Sequence, residues 1–148
     1  MKNEHYGFVL VADQKYWSRL CARKTAGREI RFFIRKNQAA PIETKQLLFY
    51  VKKLHMQIRG TADFVERITG DGEELWSKYG AESLFETTEE YRDFAEGRKK
   101  MTFIKFANFA ELANPKPKET VADVFGSLVW FRPQYVNQKT AELLTNEV

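Results

Sequence analysis

Basic residues set beside aromatic ones are the feature of this sequence that could do chemistry. Arg28, Arg31, Arg35 and Lys36 surround Phe32-Phe33, Lys52, Lys53 and Arg59 flank Tyr50, and Arg132 follows Trp130-Phe131. Cations neutralise phosphates and aromatic faces stack on bases, so this pairing is what recognition of single-stranded RNA or of a flipped base requires. Strands bury one face in any case, so the competing reading makes most of these rings core residues.

Other chemistries find little footing. Only His5, His55 and Cys21 could offer nitrogen or sulfur to a metal, and none sits at ligand spacing from another, so neither a metal site nor a cofactor is expected. The phosphate loops GxxxxGK[ST] and GxGxxG and the GxSxG nucleophile elbow are all missing. Cys21 lies on the apolar stripe of a helix, where a lone cysteine is usually a small core residue.

Charge is uneven along the chain. Met1 to Gly60 carries thirteen Lys or Arg against four Asp or Glu, a balance of +9, whereas Thr61 to Val148 carries eleven against sixteen, −5, within a net charge of +4. The basic half is a candidate anion-binding face, with solvated helix and strand exteriors as the alternative.

At 148 residues with 43% hydrophobic and 30% charged residues, the chain is sized for a single domain spanning 1–148 with one real core. A single cysteine, an N-terminus Met1-Lys2-Asn3-Glu4-His5 without an apolar stretch, and no run near the ~18 apolar residues of a membrane span point to a cytoplasmic protein with no membrane partner.

The elements that must position the basic and aromatic residues follow from periodicity. Tyr6 to Ala12 is a buried first strand, Asp13 a helix cap, and Gln14 to Lys24 a helix burying Tyr16, Trp17, Leu20 and Cys21, with Arg19, Arg23 and Lys24 largely on its other face. Arg28 to Lys36 alternates as a strand with Ile30, Phe32 and Ile34 inward and Arg31, Phe33 and Arg35 outward. Leu47 to Val51 and Met56 to Ile68 are two further strands, paired antiparallel, and Gly60 interrupts the second where something approaches the backbone closely. Short helices are expected over Glu73 to Tyr79 and, from a Thr87/Glu90 capping box, over Thr88 to Gly97. Met101 to Phe106 reads as a strand, Asn114-Pro115-Lys116-Pro117 as a turn, and a last helix is capped by Asn137. The class is α+β, with a mostly antiparallel, curled sheet.

Leu47-Leu48-Phe49-Tyr50-Val51 followed by Ile58-Arg59-Gly60-Thr61-Ala62-Asp63-Phe64 resembles the strand pair of PUA-like domains, the ASCH and EVE relatives. Lys24 with Glu29-Ile30-Arg31 is similar to the ASCH pattern G-x-K-x-x-E-x-R, with Ala22 replacing the glycine and two extra residues between Lys24 and Glu29. The later segments Met101 to Phe106 and Trp130 to Tyr135 resemble an uncharacterised archaeal PUA-like family over nearly the whole chain.

The resemblance implies a PUA-like pseudo-barrel of about six mostly antiparallel strands with peripheral helices. A cleft between barrel and first helix would bind RNA or a modified nucleobase or nucleoside. Lys24, Arg28, Arg31, Arg35, Tyr50, Lys52, Arg59, Gly60, Trp130 and Arg132 are the residues expected to form that site. Some ASCH relatives are instead small amidohydrolases of acylated nucleosides that use a lysine, a threonine and a glutamate, for which Lys24, Thr25 and Glu29 are the comparable set. Binding ranks above catalysis, and a protein-interaction or other small-ligand domain is the third reading.

Overall fold

Burial on both faces decides where the first strands lie. In β1 (Gly7–Ala12) and β3 (Gln46–Val51) five of six residues are buried in each, so both strands need cover above and below. They pair in parallel, Gly7 opposite Gln46 through Ala12 opposite Val51, with the helix α1 (Gln14–Thr25) in the connection between them. The computed structural model describes residues 3–27, 29–36, 41–52, 56–125 and 133–145.

Parity along these strands sorts the side chains into separate cores. Phe8, Leu10, Leu47, Phe49 and Val51 join Trp17 and Leu20 of α1 in one cluster. Val9, Leu48 and Tyr50 point the opposite way and join Ile58, Val121, Ala141 and Leu144. The helices α4 (Lys118–Phe125) and α5 (Gln138–Thr145) supply the last three, and Asn137 caps α5 by accepting from the Thr140 N–H at 2.8 Å.

The sheet runs β2-β5-β4-β3-β1-β6, adding β2 (Phe32–Arg35), β4 (Gln57–Asp71), β5 (Lys100–Pro117) and β6 (Gln134–Val136). Apart from β1/β3, every pairing among the described residues is antiparallel, including β3 with β4 as expected from their short connection. With β2 and β6 as edges, the expected pseudo-barrel is, among the described residues, an open sheet without a closing ladder. The sheet curls nonetheless: Arg35 of β2 sits 5.4 Å from the centre of the Phe8 ring of β1, although three strands separate β2 from β1 in the ladder. Register shifts between β4 and β5 at Ile58/Gly60, Thr61/Asp63 and Phe64/Glu66 account for the bend, since each bulge adds curvature and twist. At the second of these, Asn108 takes a left-handed φ of 54°, a conformation asparagine tolerates.

Two sequence expectations need correcting. The Asn114-Pro115-Lys116-Pro117 segment is not a turn but the end of β5, with Lys116 opposite Ile58 and Pro117 opposite Gln57. Beyond Lys105 β5 has lost its β2 neighbour, so it is a local edge, and prolines two residues apart place both missing N–H groups on the same side of the strand. The strand expected over Arg28 to Lys36 is shorter, and of its second face only Arg31 looks outward as expected. Ile30, Phe32 and Ile34 are buried as expected, but Phe33 packs against the first core and meets Phe49 at 6.0 Å, while Arg35 turns over Phe8. The reason is that β2 is covered on both sides. Phe32 and Ile34 belong to a third cluster with Leu75, Tyr91, Met101 and Phe103, built on α2 (Gly72–Tyr79) and α3 (Thr88–Ala95).

Candidate functional site

Helix α1 is fastened to the α2–α3 connection by arginines that the sequence places on its outer face. Arg19 donates to the Leu84 carbonyl at 3.2 Å and to Glu90 at 2.7 Å, and Arg23 donates to the Ser83 carbonyl at 2.7 Å. Glu90 also accepts from the Glu86 N–H at 2.9 Å and pairs with Lys15 at 3.1 Å. The Arg19 guanidinium, above all, holds the Glu90 carboxyl down at about 2. Thr87 caps α3 as the capping box requires, accepting from the Glu90 N–H, but the glutamate returns to Glu86 instead of Thr87 because Arg19 draws it toward α1.

These contacts bear on the charge asymmetry. Lys15, Arg19, Arg23, Arg31 and Lys36 of the basic half pair with Glu90, Glu86, Glu82 and Glu96 of the acidic half. Part of the imbalance along the chain is therefore internal complementarity that docks the α2–α3 layer on α1 and β2.

Between the end of β1, the start of α1, the end of β2 and α3 lies a cavity of about 300 Å³. Its walls carry the rings of Tyr16, Phe33, Phe85 and Phe94, and its polar groups are Asp13, Arg35, Lys36 and Lys52. Each has a local cause. Ser83, buried at 1% exposure, donates to the Gly80 carbonyl and accepts from the Phe85 N–H, which pins the turn that delivers Phe85. Phe85 then meets Tyr16 edge-on at 5.3 Å and Phe94 at 5.0 Å. Lys36 lies 5.0 Å over the Phe94 ring and pairs with Glu96. Burial lowers the Arg35 guanidinium below its usual range. Asp13 occupies the cap position of α1, but its side chain makes no capping hydrogen bond and pairs instead with Lys52 at 3.3 Å.

A second cavity of about 290 Å³ opens at the other end of α1, lined by Leu20, Lys24, Gly27, Glu29, Ile30, Ala107, Asn108 and Phe109. Lys24 donates to the Phe109 carbonyl at 2.8 Å and lies 5.5 Å over its ring. Glu29 pairs with Arg31 at 3.3 Å, and Thr25 turns its hydroxyl back to the Cys21 carbonyl. Lys24 and Glu29 thus share a cavity without Thr25. Beside them, burial and then Glu111 push the Cys21 thiol up to about 12, so it is no nucleophile at neutral pH.

The expected site residues are therefore divided. Arg35 and Lys52 line the first cavity and Lys24 the second. Arg31 is on the surface between Glu29 and Glu82, and Arg59 is half-buried. Tyr50, 3% exposed, belongs to the second core on the opposite face of the sheet, because its parity in β3 differs from that of Phe49. Gly60 lies beneath Trp17, so close approach comes from a core ring. Arg28, Trp130 and Arg132 lie outside the described residues. Sequence reasoning missed Asp13, Tyr16, Phe85 and Phe94 as cavity residues. The last two come from the acidic half, and an aspartate at a cap position that lacks its usual bond is visible only in three dimensions. Among the described residues no group of His, Cys, Asp and Glu could hold a metal, and no helix is long and apolar enough to cross a membrane.

Comparison with solved structures matches this fold along nearly its whole length. The chain superimposes on the crystal structure of ASCH from Zymomonas mobilis with a TM-score of 0.78 at 18% identity, over 97% of this chain and 96% of that one. A tyrosine-to-phenylalanine mutant of the same protein gives a TM-score of 0.79 at 16% identity over 96% of this chain and 98% of that one. A serine-to-alanine mutant gives 0.78 at 16% identity over 94% of each. No curated protein matches by sequence. Residues 15–130 match DUF365, described as a domain of unknown function. The chain belongs to the DUF365 family and has the PUA-like fold of ASCH proteins.

Proposed function

We propose that this domain binds RNA or a modified nucleobase and takes one base into the cavity at the N-terminal end of α1. The observation that carries the reading is the cavity's make-up: four aromatic rings beside Arg35, Lys36 and Lys52 in about 300 Å³. That volume is at the lower end of small-ligand sites and suits a single ring system rather than a large ligand. The rings would stack on the base, and the cations would meet the adjoining phosphates. The PUA-like fold supports the same reading, and the site's own residues carry it.

The test is binding of a mixed single-stranded RNA pool across a salt series, with thermal melts as folding controls. Lys52→Ala should weaken binding and flatten the salt slope by about one unit if it meets a phosphate. Tyr16→Ala should lower affinity with the slope nearly intact. Affinity weaker than about millimolar at low salt, where non-specific binding alone does better, would sink the reading.

A second reading rests on the other cavity, where Lys24 and Glu29 share a wall: hydrolysis of acylated nucleosides. Turnover of such a substrate, lost in Lys24→Ala, would put it first.

A further inference from the structure

We infer that Asp13 is the specificity-determining residue of the first cavity and selects a base with the hydrogen-bonding edge of guanine. This inference rests on the proposal that the cavity takes a base.

An aspartate at a helix cap ordinarily accepts a bond from the first-turn N–H groups, and Asp13 does not. Its backbone carbonyl serves the first turn, accepting from Tyr16 and Trp17 at 3.1 and 3.0 Å, while the carboxylate is left on the cavity wall beside Lys52. The Asp13–Lys52 pair is 3.3 Å apart and both side chains are about half exposed, 45% and 48%. Ion pairs of that kind contribute little, so a ligand can take the place of Lys52 with small loss.

What replaces it must donate, because an ionised carboxylate only accepts. Guanine presents an imino N–H and an adjacent amino group, which match two carboxylate oxygens. Adenine and cytosine present an amino group beside a ring acceptor, and uracil an N–H between two carbonyls, so each would leave acceptor facing acceptor. With its carboxylate partner engaged by the base, Lys52 is released toward a phosphate of the same nucleotide.

The test is calorimetric binding of the full chain to guanosine, adenosine, cytidine, uridine and inosine monophosphates, with Asp13→Asn alongside. The wild type should prefer guanosine monophosphate over adenosine monophosphate by about tenfold or more, as a bidentate base contact gives, with inosine monophosphate between them. Asp13→Asn should lose that preference while its melting temperature stays close to wild type, since the side chain caps nothing. Comparable affinity for all five nucleotides, or an unchanged preference in Asp13→Asn, overturns the inference and leaves the cavity a base site. If none of the five binds at millimolar concentration, the base-binding proposal itself fails and the inference falls with it.

Discussion

The indole of Trp17 covers Gly60 so closely that a Cβ at position 60 would stand 2.5 Å from Trp17 Cη2 and 2.9 Å from the Ala110 carbonyl oxygen. Trp17 is 3% exposed and is packed by Phe49 at 6.0 Å and Phe109 at 5.4 Å, so it cannot step aside. Gly60→Ala should destabilise the domain by about 1–3 kcal/mol, the usual penalty of overpacking, and Gly60→Val by more. Urea unfolding checks this, and unchanged midpoints would show that α1 lifts away freely.

Glu90 should make the domain acid-sensitive. Its carboxyl is depressed to about 2 in the fold, so the stabilisation it contributes is fully present above its unfolded value near 4.5 and is lost as pH falls through about 2. With its side chain 19% exposed, the loss should be on the order of 2 kcal/mol, somewhat below the full value of the shift. Glu90→Gln should lower stability at pH 6 and flatten the dependence between pH 4.5 and 2. Urea melts across that range in both proteins would show the difference, and parallel curves would contradict it.

Cys21 should be nearly inert in the folded protein. With its thiol pushed up to about 12, alkylation by iodoacetamide at pH 8 should run about a hundredfold or more slower than in urea-unfolded protein, because the thiolate is the reacting species. Equal rates would place the thiol in water.

Arg31 and Lys52 should behave differently although both are basic and exposed. Arg31 is held between Glu29 at 3.3 Å and Glu82 at 3.5 Å and lines neither of the two cavities described, whereas Lys52 lines the first. Arg31→Ala should leave mononucleotide affinity within about twofold, and Lys52→Ala should reduce it about threefold to tenfold, the net weight of one solvent-exposed hydrogen bond. Calorimetry on the two variants separates them, and a larger loss from Arg31→Ala would move the site to the other end of α1.

How much was legible in the sequence differs by element. The apolar runs of β1 and β3, the Trp17/Leu20 stripe of α1, the Thr87 and Asn137 helix caps and the antiparallel β3–β4 pair all depend on neighbours within a few residues, and they stand as read. Pro115 and Pro117 suggest a turn in the sequence yet end a strand in the fold, because a proline's tolerance in a strand depends on whether the next strand is still beside it, which local sequence does not encode. The site divides along the same line. Residue types alone marked the basic and aromatic content of the chain. Which of those residues meet was decided by the curl of the sheet, which brings Arg35 over Phe8, and by the Arg19 and Arg23 bonds that deliver Phe85 to Tyr16. Parity sent Tyr50 to the opposite core, and ion pairing across the two halves of the chain absorbed charges that in sequence stand apart as an uncompensated basic segment. Long-range packing fixes such partners, because a cation or a ring acquires a role only from what the fold sets against it.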